Sequence, residues 1–125
     1  MNSARRFRVL ISDDSVFMRL VLKKLLTENG YEVVGEASDG KQAVQLFKAL
    51  KPDLVTMDIT MPVMDGIEAV KRIHEEDPLA RIIMVTAIGQ RDVIGEAINA
   101  GASGFIIKPF EGGEVLRTIV KILGK

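Results

Sequence analysis

Five side chains that can do chemistry stand where short apolar runs of this 125-residue sequence end. Two are neighbours in the segment SDDS and three close later runs: Asp13, Asp14, Asp58, Thr86 and Lys108. Carboxylates that lie close together raise one another's pKa because like charges repel. A divalent cation relieves that repulsion, and a set of oxygen ligands without histidine or thiolate favours Mg²⁺. The residue types therefore indicate a magnesium site built from acids.

The same residues also suggest a reaction. A carboxylate such as that of Asp58 can attack phosphorus as a nucleophile. Mg²⁺ and the ammonium group of Lys108 would then neutralise the charge on the phosphoryl oxygens, and the hydroxyl of Thr86 would donate a hydrogen bond to one of them. The pattern thus favours phosphoryl transfer onto an aspartate.

Each residue taken alone has an ordinary structural interpretation. Asp13, Asp14 and Ser15 are suited to capping the helix that follows them. Asp58 is suited to an Asx-turn before TMP, and Thr86 to an ordinary strand end. A shared site explains better why all of them, together with a lysine, fall at the ends of apolar runs.

Apolar runs rich in β-branched residues alternate with segments of helical periodicity. The runs are FRVLI (7–11), EVVGE (32–36), DLVTM (53–57), RIIMV (81–85) and GFIIK (104–108). The helical segments end at Gly30, before Pro52, before Pro78, at Gly101 and near the C-terminus. Five strand–helix units in strict alternation predict an α/β fold with a parallel sheet.

Five units are too few for a closed eight-stranded barrel, so an open sheet is expected. We predict a flavodoxin-like, doubly wound (βα)5 sandwich with strand order 2-1-3-4-5 and helices on both faces. The nearly continuous apolar runs RIIMV and GFII predict strands that are covered on both faces. Right-handed crossovers leave all the carboxyl ends of the strands on one edge, where such sheets bind ligands. The five reactive side chains are therefore expected to converge there, with Asp58 on the central strand.

The composition excludes several classes of function. Seventeen basic residues balance seventeen acidic ones, which argues against a broad surface for nucleic acid or for an anionic membrane. The sequence has no cysteine, so disulfides and thiolate chemistry are excluded. No run approaches the length of a membrane span, and the N-terminus lacks the apolar core of a signal peptide. A cytoplasmic location is the resulting expectation.

Four motifs resemble, in their order and spacing, the receiver domain of bacterial two-component response regulators. They are SDDS (12–15), TMDITMPVMDG (56–66), VTA (85–87) and KPF (108–110), and AGASGFIIKPF (100–110) is similar to the same family. MDITMP and the FMR of the first helix resemble its single-domain chemotaxis members, the CheY-like group. The resemblance covers essentially the whole chain and implies one receiver (response regulatory) domain, residues 1–125, without an output domain.

The resemblance assigns the acids to specific tasks. It implies that Asp58 is the phospho-acceptor and that Asp13 and Asp14 hold Mg²⁺ together with Asp58. It also implies that the backbone carbonyl of Thr60 completes the protein ligands. The chain would catalyse only its own phosphorylation and dephosphorylation, and so would not be an enzyme in the usual sense.

The resemblance also implies a conformational switch. Thr86 would be the switch hydroxyl, and Phe105 the aromatic side chain that turns inward when Thr86 moves toward the phosphoryl group. Lys108 would contact that group, and its peptide bond to Pro109 would be cis, in keeping with the confinement of cis bonds to proline. The segment GQRDV (89–93) at the start of helix four would provide a mobile joint.

The implied partners follow from the same likeness. The phosphodonor would be a CheA-like histidine kinase, and a phosphatase is a further expected partner. The effector would be the flagellar motor switch protein or another protein that binds helix four, strand five and helix five. We expect no nucleic acid or membrane partner and a monomeric chain.

Some positions differ from the commonest chemotaxis pattern. Phe105 stands where many relatives have tyrosine, so partner contacts through that hydroxyl are lost. Thr60 and Ile88, each two residues beyond a reactive side chain, occupy positions that tune dephosphorylation in the family. An apolar Ile88 predicts slower hydrolysis than an acidic residue would give.

Three other interpretations compete. The segment GEASDGKQ (35–42) matches most of a P-loop, but Gln42 replaces the metal-binding hydroxyl residue, and Glu36 and Asp39 would repel phosphates. A haloacid-dehalogenase-type hydrolase also starts from a strand-end aspartate, but it usually has an acid where this chain has Thr60. The chain could also act in another phosphorelay or be the receiver part of a DNA-binding regulator.

Overall fold

The computed structural model describes residues 6–87 and 91–124, in which strands and helices alternate. The strands are β1 (Arg8–Ser12), β2 (Glu32–Ala37), β3 (Leu54–Asp58), β4 (Ile82–Ala87) and β5 (Gly104–Lys108). The helices are α1 (Val16–Glu28), α2 (Gly40–Leu50), α3 (Gly66–Glu76), α4 (Arg91–Ala100) and α5 (Gly112–Leu123). The predicted alternation is confirmed.

The five strands form one parallel sheet in the order β2-β1-β3-β4-β5. This is the predicted doubly wound, flavodoxin-like arrangement, with β3 at the centre. The carboxyl end of β3 therefore lies between those of β1 and β4, and the residues at these ends share one edge of the sheet. That edge carries the candidate site.

Side-chain caps fix where three of the helices begin. Ser15, Asp39 and Asp65 precede α1, α2 and α3, and each accepts a hydrogen bond from a backbone N–H in the first turn. Each such cap stabilises its helix by about 1 kcal/mol. The caps also set the length of each loop between a strand end and the following helix, and so help to position the residues of the site.

Two apolar layers cover the sheet. On one face, α1 and α5 pack on β-strand residues through a cluster that includes Leu22, Leu26, Val115 and Ile119. On the other face α2, α3 and α4 form a second cluster around strand residues such as Met57. Because successive residues of a strand point to opposite faces, each central strand contributes to both clusters. The central strands are therefore held from both sides.

Strand β5 differs from this description, and the prediction that helices cover both of its faces is wrong. Only Ile106 is buried, at 2% exposure, while Phe105 and Ile107 are 41% and 38% exposed. β5 is an edge strand that α5 covers on one face, while on the other face α4 packs against α3. An apolar run cannot distinguish a covered edge strand from an open one, which is why the sequence pattern misled.

The segment GEASDGKQ, which matches most of a P-loop, forms a capped turn. The Asp39 carboxylate accepts from the N–H of Gln42, and the N–H of Gly40 donates to the carbonyl of Met64 at 2.9 Å. A Cβ at Gly40 would lie 2.1 Å from that carbonyl oxygen, so the close approach requires glycine. The Gly40 N–H thus holds the loop after β3 and the Gln42 N–H caps the helix, so neither is presented to a phosphate.

Among the described residues, no helix is both long enough and apolar enough to cross a bilayer.

Candidate functional site

Three carboxylates meet at the predicted edge of the sheet. Asp13 and Asp14 follow β1, and Asp58 is the last residue of β3. Each offers one oxygen such that all three atoms lie within 4.8 Å of one another. Asp13 and Asp58 are buried, at 1% and 8% exposure, and Asp14 is exposed. The cluster thus has a buried interior and one side open to solvent.

Lys108, the last residue of the edge strand β5, brings a positive charge to the cluster. Its Nζ lies 3.1 Å from Asp13 Oδ2 and 3.6 Å from Asp58 Oδ1. The peptide bond between Lys108 and Pro109 is cis, as the resemblance implied. The ammonium group lies close to two of the three acids, so it partly offsets the charge that burial would otherwise make costly.

The carboxyl group of Asp58 is electrostatically unusual. Burial, with the neighbouring charge of Asp13, raises its pKa from 3.8 to about 6, although Lys108 acts in the opposite direction. The charge of Asp14 adds a smaller upward effect, and a hydrogen bond from the Ile59 N–H a smaller downward one. Any cation that enters the cluster therefore stabilises the ionised form of Asp58.

This raised pKa predicts a pH-dependent difference between the wild type and Asp58→Asn. The folded chain holds the Asp58 proton more tightly than the unfolded chain, so ionising Asp58 lowers stability as the pH rises from about 4 to above about 6. Without divalent cations, Asp58→Asn should be more stable than the wild type by roughly 2 kcal/mol at about pH 7.5, and the gain should vanish near about pH 4. Urea unfolding in EDTA measures both values.

Asp77→Asn is the matched control, because it removes a carboxylate that follows α3, away from the cluster. It measures how far replacing a carboxylate by an amide outside the cluster changes the free energy of unfolding at the two pH values. A gain for Asp58→Asn that is equal at both pH values would contradict the assigned cause.

The backbone around Asp13 is fixed by several hydrogen bonds. Its N–H donates to the carbonyl of Ala37 on β2 at 3.0 Å. Its Oδ1 accepts from the N–H of Ser15 at 2.9 Å, while Oδ2 accepts from Lys108. Both oxygens of the Asp13 carboxylate therefore accept hydrogen bonds that orient it.

The loop after Asp58 is held equally closely. The N–H of Gly66 donates to the carbonyl of Ile59, and the N–H of Met64 donates to the carbonyl of Pro62, both at 2.7 Å. The second bond closes a three-residue turn around Val63, whose φ of 69° is strained for a β-branched side chain. The loop thus fixes the chain immediately beyond the central acid.

A comparison with known proteins identifies the family. The family model described as the response regulator receiver domain matches residues 9–120. The chain belongs to the response regulator receiver family. The motifs at the ends of β1, β3, β4 and β5 are therefore those of a CheY-like receiver domain, as the resemblance had suggested.

The most similar relatives include chemotaxis receivers. The chain is 54% identical to the chemotaxis protein CheY of Thermotoga maritima over 92% of this chain and 96% of that protein. It is 55% identical to CheY of Bacillus subtilis over 93% and 97%. A crystal structure of a CheX–CheY–BeF3–Mg²⁺ complex from Borrelia burgdorferi has a TM-score of 0.91 at 40% identity, covering 95% of this chain and 90% of that chain.

The remaining predicted residues of this receiver lie as follows. Thr86 is buried within β4 at 1% exposure, one residue before the strand ends, and Asp58 lies inside β3, so both strands run farther than their apolar runs. Thr60 lies in the loop after β3 and is exposed. The Phe105 side chain is 41% exposed.

Ile88 and the first two residues of GQRDV lie outside the described residues, so the hypotheses about dephosphorylation and a mobile joint stay predictions.

The receiver residues fit a magnesium ion in their chemistry. Hard carboxylate oxygens, of which two are on buried side chains, are the ligands that Mg²⁺ prefers. Burial and the neighbouring charge of Asp13 raise the pKa of Asp58, and Lys108 offsets this only in part. Asp13, Asp14 and Asp58 are the residues that would hold the ion, and its charge would favour the ionised form of all three.

Two residues at this receiver site were missed in the sequence. Arg19 Nη1 donates to the backbone carbonyl of Asp13 at 2.6 Å, and its Nε donates to Glu36 Oε1 at 3.1 Å. The available signal was the position of Arg19 one turn into α1, but no local pattern pairs it with a residue of β2. The contact depends on the β1–β2 pairing, which is a property of the fold.

Proposed function

We propose that this receiver chain is a phospho-accepting response regulator of the chemotaxis type, in which Asp58 takes a phosphoryl group from a histidine kinase. The observation that carries the proposal is the cluster of Asp13, Asp14 and Asp58 with the ammonium of Lys108 3.1 Å from Asp13 and 3.6 Å from Asp58. A nucleophilic carboxylate, two acids able to hold a cation and a lysine are the groups that phosphoryl transfer to aspartate needs.

The transfer is an in-line displacement at phosphorus. A carboxylate oxygen of Asp58 forms a P–O bond as the P–N bond to the kinase histidine breaks. The leaving nitrogen keeps the electron pair and takes up a proton from solvent. Asp58 must be ionised to attack, and with a pKa of about 6 it is mostly ionised at neutral pH.

The chain's own groups support this step in distinct ways. Lys108 already lies between two carboxylates and would contact the transferred group, whose negative charge competes for its ammonium. Thr86, buried in β4, would donate a hydrogen bond from its hydroxyl to a phosphoryl oxygen. Mg²⁺, held by Asp13, Asp14, Asp58 and the carbonyl of Thr60, would supply charge neutralisation at the phosphoryl oxygens when bound. Hydrolysis by water restores the free carboxylate.

The output of the switch is proposed to be the face formed by α4, β5 and α5. Phe105 and Ile107 expose apolar surface there, and Val120 of α5 is 44% exposed. Phosphorylation would favour a state in which Phe105 turns inward beside Thr86, which changes the surface offered to an effector. The donor would be a CheA-like kinase and the effector a flagellar motor switch protein. A phosphatase is a third proposed partner. The crystal structure of a CheY relative in complex with CheX supports, more generally, that this kind of chain binds other proteins.

The chain would catalyse only its own phosphorylation and dephosphorylation, and would act as a monomer in the cytoplasm. Service in another phosphorelay and origin as part of a DNA-binding regulator are the alternatives within the same family. An aspartyl-phosphate hydrolase is the alternative of another class.

A small phosphodonor tests the function directly. With acetyl phosphate and Mg²⁺, intact-mass spectrometry should find one added phosphoryl group per chain, which requires the divalent cation and is lost in EDTA. The chain should not turn over unrelated phosphomonoesters such as p-nitrophenyl phosphate. Steady turnover of such esters would favour the hydrolase, and labelling that is indifferent to EDTA would contradict the proposed metal site.

A further inference from the structure

Arg19 links the loop that carries Asp13 to the neighbouring strand β2. Its guanidinium donates through Nη1 to the Asp13 carbonyl at 2.6 Å and through Nε to Glu36 Oε1 at 3.1 Å. The Arg19 side chain is only 15% exposed, so it is held in place by its surroundings. Glu36 precedes Ala37, whose carbonyl accepts from the Asp13 N–H. The N–H of Asp13 is thereby bonded to β2 directly, and its carbonyl is connected to β2 through Arg19.

The chemistry of arginine suits this arrangement. A planar guanidinium presents several N–H donors at fixed angles, so it can bind a carbonyl and a carboxylate at the same time. A lysine in its place would offer a single point charge. Glu36 does not contact Asp13 itself, and its second oxygen lies 3.4 Å from Lys23 Nζ. Glu36 therefore orients Arg19, and Arg19 contacts the loop.

We propose that Arg19 is a positioning residue for the magnesium site, and that the Arg19–Glu36 pair sets the orientation of the Asp13 carboxylate. This inference rests on the proposed function, because it assumes that Asp13 holds the ion. Arg19 touches neither the reacting atoms nor the ligand oxygens, so it acts only through the backbone of Asp13. Partners of this kind commonly change metal affinity when they are removed.

Electrostatics alone predicts the opposite sign, and this makes the inference testable. Removing a positive charge near a cation site should tighten cation binding, because it removes a repulsion. Loss of positioning should weaken binding, because Asp13 then samples orientations that do not suit the ion. The sign of the change in Mg²⁺ affinity upon Arg19→Ala therefore separates the two effects.

The experiment measures Mg²⁺ binding to the unphosphorylated chain by isothermal titration calorimetry with MgCl2 alone. Arg19→Ala should raise the dissociation constant by about tenfold. Arg19→Lys keeps the charge but cannot bridge both partners, so it should show most of the same loss. Lys23→Ala is the matched control, since Lys23 contacts Glu36 but not Asp13, and it should leave the affinity within about twofold of the wild type.

Two further measurements separate positioning from general destabilisation. As a single substitution, Glu36→Gln should weaken Mg²⁺ binding. Added to Arg19→Ala, it should cause no further loss of affinity, because Glu36 acts through Arg19. Hydrogen exchange without Mg²⁺ should be faster at the Ser15 amide, which donates to Asp13 Oδ1, in Arg19→Ala than in Lys23→Ala. Equal exchange rates in the two variants would contradict the inference.

The outcomes distinguish this inference from the proposed function. A wild type that binds no Mg²⁺ would overturn both. Normal binding by the wild type, combined with unchanged or tighter binding by Arg19→Ala, would overturn the role of Arg19 and leave the proposed function in place.

Discussion

The Asp58→Asn variant is expected to take up no phosphoryl group from acetyl phosphate in the presence of Mg²⁺. Its amide nitrogen and neutral oxygen replace the only acid of the cluster that ends the central strand, so the nucleophile is lost. Asp13 cannot readily replace it, because its Oδ2 accepts from Lys108 and its Oδ1 from the Ser15 N–H. We therefore expect the labelled fraction to fall by at least about 100-fold, measured by intact-mass spectrometry.

Asp65→Asn is the control for this experiment. Asp65 is the N-cap of α3 and accepts from the Glu68 N–H at 2.9 Å, a role that asparagine can fill equally well. This variant should be labelled like the wild type. Labelling of Asp58→Asn at a second aspartate would show that another acid of the cluster is the acceptor. Loss of labelling in Asp65→Asn would show that labelling depends on the structure of the loop and not on the Asp58 carboxylate alone.

The second large effect concerns the glycine that begins α3. A Cβ at Gly66 would lie 2.0 Å from the carbonyl oxygen of Asp58 and 2.9 Å from the Cα of Ile59. These are backbone atoms of the central strand and its loop, and they cannot move aside as a flexible side chain can. Gly66→Ala should therefore lower the free energy of unfolding by about 3 kcal/mol or more, measured by urea unfolding.

Gly95→Ala provides a control of opposite sign. Gly95 lies inside α4, and a Cβ there would meet nothing within 4 Å. Alanine restricts the unfolded chain and favours the helix, so this variant should be more stable by about 0.5 to 1 kcal/mol. A Gly66→Ala chain as stable as the wild type would mean that α3 can shift away from β3 without loss, contrary to the close contact described here.

Much of the fold could be predicted because its determinants are local or topological. Alternating apolar runs and helical segments fix the order of elements, and the handedness of the crossovers fixes the edge to which Asp13, Asp58 and Lys108 belong. The carboxyl ends of β3 and β4 were predicted one or two residues short, because the polar residues Asp58 and Thr86 lie within these buried strands. A carboxylate or hydroxyl inside a sheet is an exception that the apolar pattern does not reveal.

The remainder depends on contacts between residues that are distant in the sequence. Arg19 and Glu36 meet because β1 pairs with β2, and the residues themselves are ordinary surface types. The exposure of Phe105 depends on where α4 packs, which no property of GFIIK records. A glycine before a helical segment is an ordinary turn residue, and only the structure shows that a Cβ at Gly66 would meet the carbonyl of Asp58.

The open face of β5 has a consequence for how this chain can diverge. Within five residues, Ile106 belongs to the core, Lys108 to the acid cluster, and Phe105 and Ile107 to the water-facing surface. Because Phe105 is also the proposed aromatic switch, Ile107 is the exposed position at which a substitution should leave both the core packing and the acid cluster unchanged. Under the proposed function, mutation at such a position would change which proteins the surface recognises while the acid cluster keeps its residues, so gene duplicates would separate their signalling routes through exposed side chains.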